Sequence, residues 1–116
     1  MKYRVSLPEQ LAMMLRGSPV RKIKTELKKA ERYNLELDGT ALEAHFLAQG
    51  DITDLVNSLV FAKENGMKLS FQGAAVGQLI AIYQEKVKLL DKLKIMKEEG
   101  VDDAEGFLRS GSIKAE

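Results

Sequence analysis

Apolar residues along the chain recur at helical spacing, and the polar punctuation between them marks where each helix starts and stops. Ser6-Leu7-Pro8-Glu9 has capping-box spacing with Pro in the first turn, and Leu7, Leu11, Met14 and Leu15 then form one face before Gly17 closes the helix. Ser18-Pro19 opens a second helix with the stripe Val20, Ile23, Leu27 and Ala30, running to about Tyr33 with Asn34 as a left-handed cap. Asp38 is placed to cap a short third helix from Gly39 to Ala48, stopped by Gly50. Asp51 caps a fourth, whose Ile52, Leu55, Val56 and Leu59 give the cleanest amphipathic pattern, ended by Asn65-Gly66. Ser70 caps a fifth helix whose pattern allows it to continue from Phe71 to about Glu98. Asp102-Asp103 begins a short last helix through Leu108, and 111–116 reads as a frayed tail.

Leu35-Glu36-Leu37 and Met67-Lys68-Leu69 alternate apolar and polar but are three residues long, so they read as extended connectors rather than strands. The pattern therefore predicts an all-α fold, a compact bundle of five to six helices forming a single domain over 1–110. Its expected core comprises Leu27, Leu35, Leu37, Leu42, Phe46, Leu55, Leu59, Leu69 and Leu79.

A shift of 32 residues aligns Ile23, Leu27, Ala30, Leu35, Leu37 and Leu47 with Leu55, Leu59, Ala62, Met67, Leu69 and Leu79. The helix-ending pairs align too, Tyr33-Asn34 on Asn65-Gly66, as do the caps Asp38 and Ser70. This predicts a duplicated helix–connector–helix unit over about 19–50 and 51–82, with a fainter third copy in Ile95 to Asp103. A unit of this kind cannot bury its apolar face alone, so its copies share a core.

Composition narrows the chemistry. With no Cys and one His among 116 residues, disulfides, thiolate metal sites and cysteine nucleophiles are excluded, and a zinc or His-centred catalytic site is disfavoured. No apolar run approaches the roughly 18 residues of a membrane span, and MKYRVSLPEQ has no signal-peptide core. His45, between Leu42 and Phe46, has no second His, Cys or paired carboxylate at metal spacing and reads as a partly buried or interface side chain. Asp51 with Asp54, and Asp102 with Asp103 and Glu105, lack the alternating ligands of a calcium loop and sit where helix N-termini favour carboxylates. Gly73 and Gly77 with Ala74 and Ala75 suit close helix approach and fit no phosphate loop. The sequence thus implies no catalytic residue, no metal, no cofactor and no enzyme.

Charge is unevenly placed. Residues 1–33 carry nine Lys/Arg against three Glu, whereas the remainder carries nine against fourteen acidic side chains. Arg21, Lys22, Lys24, Lys28, Lys29 and Arg32 surround the stripe of the second helix. Such a helix suits an ordinary solvated face, an anionic membrane surface or nucleic-acid phosphates. On the fifth helix Leu79, Tyr83, Val87, Leu90 and Leu93 form a stripe flanked by Lys and acidic residues, a candidate self-association seam for a homodimer.

The stretches Leu42-Glu43-Ala44-His45-Phe46-Leu47-Ala48-Gln49-Gly50, Val56-Asn57-Ser58-Leu59-Val60-Phe61-Ala62 and Gly66-Met67-Lys68-Leu69-Ser70-Phe71, followed by Ala74-Ala75, resemble part of bacterial flotillin-like proteins. Arg4-Val5-Ser6-Leu7 and Met14-Leu15-Arg16 are similar to the region that follows the membrane segment in that family. The likeness covers about residues 4–80, after which this sequence runs on as a Lys/Leu-rich helix where the family has a mixed α/β domain. The resemblance implies a helical, non-enzymatic protein-interaction or scaffold module, cytoplasmic or peripheral to the membrane, with a protein partner or itself as ligand. The alternative from charge alone is a small regulatory protein that binds nucleic acid through its basic first third.

Overall fold

A computed structural model describes residues 7–110, and within them the chain is all-α. Seven α-helices follow in order: α1 (Leu7–Leu15), α2 (Val20–Arg32), α3 (Gly39–Leu47), α4 (Ile52–Glu64), α5 (Phe71–Ile80), α6 (Leu89–Glu98) and α7 (Ala104–Ser110), with a π-helical turn at Ala81–Glu85. No strand occurs among the described residues, so the two short connectors do not pair as a sheet. The expected Ser6 cap and the tail at 111–116 lie outside the described residues.

Local chemistry sets most helix ends. Asp38 accepts a hydrogen bond from Thr40 N–H, Asp51 from Asp54 N–H and Ser70 from Gly73 N–H, so each N-cap anticipated from sequence satisfies an orphan donor. At the other ends the chain turns through a left-handed residue and closes a bond back five positions. Ser18 N–H donates to Met13 O (2.8 Å), Leu35 to Ala30 (2.8 Å), Gly50 to His45 (2.9 Å), Met67 to Ala62 (2.8 Å) and Val101 to Met96 (2.9 Å). The left-handed positions are Gly17, Asn34, Gln49, Gly66 and Gly100. Asn34 and Gly66 stand 32 residues apart, each after a 13-residue helix and before an apolar-x-apolar connector.

Helix α4 is central. Its Ile52, Leu55, Val56, Leu59, Val60 and Ala62 are buried, and it touches α2, α3, α5 and α6. Of the expected core, Leu27, Leu37, Leu42, Leu55 and Leu59 are buried, Leu35, Phe46 and Leu69 are half-buried against it, and Leu79 is half-buried. Met13, Ile23, Ala30, Met67, Ala74, Leu89, Leu93, Met96 and Ala104 join them in the core.

The single helix expected from Phe71 to about Glu98 is instead broken. After Ile80 the ladder widens into the π turn, Val87 N–H reaches back to Ala81 O (2.9 Å), and Lys86 is left-handed with φ 59°. The chain then folds back so that Leu89, Leu93 and Met96 pack into the core against α4. Magnitudes explain the choice. A left-handed lysine costs roughly 1–2 kcal/mol, whereas each large apolar side chain buried gains roughly 1.5–3 kcal/mol. Lys92, itself largely buried, pairs with Glu85 across the corner at 2.6 Å.

Helix α7 lies on α5, where the small residues admit it. A Cβ added at Gly77 would stand 3.0 Å from Leu108 Cδ1, and one at Gly73 would stand 3.0 Å from Glu105 Cδ. Glu105 accepts from Ser70 N–H at 2.8 Å, and this bond, with the Ser70 hydroxyl, holds its carboxyl below the usual range. Asp103 accepts from Gly106 N–H at 3.0 Å and so caps the first turn of α7.

Candidate interaction surface

The basic residues of α2 separate into three groups. Arg21, Lys24, Lys28 and Arg32 are exposed and, at the 3.6-residue period, form one outward row. Arg21, Lys24 and Lys28, together with Val20, Thr25 and Gln10 of α1, line an open groove of about 420 Å³ between the two helices. Lys22 is exposed but turned away from that row by about a third of a revolution. Lys29 points into the bundle, where it pairs with Glu26 (3.0 Å) and donates to Asn57 Oδ1 of α4 (2.7 Å). Thr53 donates to the other Glu26 oxygen at 3.2 Å, so Lys29 belongs to a polar seam between α2 and α4 rather than to the cationic face.

Helix α1 turns its apolar face outward. Met13 is its buried side chain, whereas Leu7, Leu11, Met14 and Leu15 are 66, 55, 62 and 90% exposed. What fixes this rotation is a clamp at the helix end. Arg16 donates through Nε (2.7 Å) and Nη2 (2.5 Å) to the two oxygens of Glu43, and Ser18 Oγ donates to Glu43 Oε2 at 2.6 Å. Glu43 is buried on α3, so removing either partner would strand its charge. The Arg16 hydrogen bonds, aided by Ser18, hold the Glu43 carboxyl below its ordinary range against the opposing effect of burial.

A depressed folded-state value stabilises above the unfolded carboxylate value, about 4.3, and that contribution is lost as pH falls through the folded value. The urea midpoint of the wild type should therefore exceed that of Glu43→Gln by a constant margin from neutral pH down to about pH 5. Below that the margin should close. A margin independent of pH down to acid conditions would show that the clamp does not act through the carboxylate.

A second buried network centres on α3. His45 Nε2 lies 2.6 Å from Gln78 Oε1 of α5. The same Gln78 oxygen accepts from Asp51 N–H (3.0 Å), while Gln78 Nε2 donates to Asp51 O (2.6 Å) and to Asp54 Oδ2 (3.0 Å). With the amide orientation fixed by those partners, the imidazole proton is assigned to Nε2. Asp54, buried on α4, also accepts from the first-turn N–H groups of Leu89 (2.9 Å) and Leu90 (3.2 Å), capping α6 from another helix. His45 is thus a buried interface side chain, and both acids of the 51–54 pair serve helix N-termini. Nothing in the sequence indicated the Arg16–Glu43 pairing or that Asp54 would cap a helix thirty-odd residues away.

The expected self-association stripe is divided by the corner at Lys86. Leu93 lies in the core, Leu79 and Leu90 are half-buried, and Tyr83 and Val87 are exposed. Tyr83 donates its hydroxyl to Gln49 O at 2.7 Å, tying the π turn to the end of α3. The five residues do not form one seam.

The family profile described as flotillin-like protein FloA matches residues 1–96. The chain belongs to the flotillin-like FloA family. A curated flotillin-like protein FloA of Dictyoglomus turgidum is 36% identical over 72 residues, 61% of this chain and 22% of that relative's length. No solved structure matches. The flotillin-like motif now has physical content: within Leu42–Gly50, Leu42 enters the core, Glu43 holds the α1–α2 turn and His45 holds α5. The profile also extends past the resemblance at 4–80 to include the corner and most of α6. Among the described residues no helix is long and apolar enough to cross a membrane.

Proposed function

We propose that this chain is a non-enzymatic interaction or scaffold module that works peripherally at the cytoplasmic surface of a membrane and self-associates. The observation that carries the reading is the flotillin-like FloA match across residues 1–96. The disposition of polar groups supports its non-enzymatic side. Glu43 is held by the Arg16 and Ser18 side chains, and the buried His45, Gln78 and Asp54 are engaged with one another or with backbone, so these groups bind helices together instead of converging on a cleft. For self-association, the exposed remainder of the fifth-helix stripe, Tyr83 and Val87 beside the corner, is the contact we favour.

The test is chemical cross-linking in cells expressing the full chain, followed by membrane fractionation. Cross-linked species of higher mass in the membrane fraction are expected, reduced by Val87→Lys. A chain that stays monomeric and entirely outside the membrane fraction overturns the proposal.

A further inference from the structure

We infer that the outward face of α1 and the adjoining cationic row of α2 together form a docking surface for an anionic lipid bilayer. The inference rests on the peripheral-membrane reading above and names the surface that performs it. Elsewhere the exposed large apolar residues are fewer at any one place: Tyr33, Leu47, Val76 and Ile95 belong to four different elements or their ends, and Tyr83 and Val87 flank the corner. On α1, by contrast, four of nine residues are large, apolar and exposed, and Leu7, Leu11, Met14 and Leu15 fall within about a third of the helix circumference. Glu9 projects from the opposite side. The face is held outward by the Arg16–Glu43–Ser18 clamp, so its exposure is built into the fold.

Charge supplies the second half of the surface. Gln10, next to the apolar row, shares a groove with Arg21, Lys24 and Lys28, which places those cations along the border of the row. None of them forms an ion pair with a described residue, and of the two acids of α2, Glu26 is buried against Lys29 while Glu31 is half-buried.

Occupants can be distinguished by which half they use. Nucleic acid would engage the cations and leave Leu7, Leu11 and Leu15 wet. A second copy would cover the apolar row but bring its own cations against these. A nine-residue helix spans only about 14 Å, too little to furnish the roughly 800 Å² per partner of a stable interface. An anionic bilayer satisfies both halves at once: side chains enter the boundary between headgroups and acyl chains while lysines and arginines stay among the phosphates.

The experiment is co-sedimentation of the purified full chain with phosphatidylserine–phosphatidylcholine vesicles and with phosphatidylcholine vesicles, with thermal melts confirming that each variant folds. Wild type should bind the anionic vesicles and not the neutral ones. Lys24→Glu with Lys28→Glu should weaken binding by more than about tenfold, given roughly fivefold per cation. Leu11→Ser with Leu15→Ser should weaken it at least about tenfold, whereas Ile95→Ser on α6 should leave it unchanged. Undiminished binding by the Leu11/Leu15 variant overturns the inference, as does duplex DNA bound as tightly as anionic vesicles and equally by that variant. Absence of vesicle binding by wild type, with cross-linked species still in the membrane fraction of cells, overturns lipid docking and leaves the scaffold reading standing.

Discussion

Asp54→Ala is expected to lower folding stability by about 3 kcal/mol or more. The carboxylate accepts from Leu89 N–H, Leu90 N–H and the Gln78 amide in a buried site. Truncation leaves donors on three residues without the carboxylate that accepts from them. The loss should appear in the urea midpoint together with exposure of the α6 face that carries Leu89, Leu93 and Met96. Asp54→Asn should fall between, since its carbonyl can serve one donor while its own NH2 meets the others. A midpoint for Asp54→Ala within about 0.5 kcal/mol of wild type would mean that α6 is held by apolar contact alone.

The second large effect is expected at Gly50. An added Cβ there would lie 2.2 Å from His45 Nε2 and 2.4 Å from Cδ2, inside contact distance of a ring fixed by Gln78. The imidazole cannot swing aside without breaking that bond and disturbing the cap of α4. Gly50→Ala should therefore cost about 3 kcal/mol, at the upper end for overpacking. The diagnosis is checked by a double-mutant cycle: in a His45→Ala background the same substitution should cost less than about 1 kcal/mol. Equal costs in both backgrounds would place the strain in the backbone instead of the ring.

How much of this was legible in sequence depended on how local the deciding chemistry is. Asp38, Asp51 and Ser70 reach backbone donors two or three residues away, so their residue type and position suffice to start a helix. Asn34 and Gly66 end helices by the same local logic. The break at Lys86 carries no such mark, because lysine is no left-handed signal; it is imposed by Asp54, which is distant in sequence, and by the apolar face of α6. Periodicity likewise found the stripe of α2 but not the rotation of α1. Leu7, Leu11, Met14 and Leu15 make a well-formed apolar row, yet Met13 is the residue that the Arg16–Glu43 clamp turns inward. The cations of α2 were visible as candidates, and the structure sorts them, with Lys29 drawn into the seam with α4.

The cap that α4 lends to α6 also governs which backbone protons can be reached by solvent. First-turn amides of a helix have no intrahelical acceptor and ordinarily trade hydrogen for deuterium quickly. Those of Leu89 and Leu90 are bonded to a buried carboxylate that is itself bonded to Gln78. They can exchange only when α4, α5 and α6 part company, so their protection factors report the opening of that cluster as one cooperative unit. The beginning of α6, on this account, is among the slowest clocks in the molecule, while the Arg21 and Lys22 amides in the first turn of α2, whose N-cap Pro19 makes no side-chain bond, run fast.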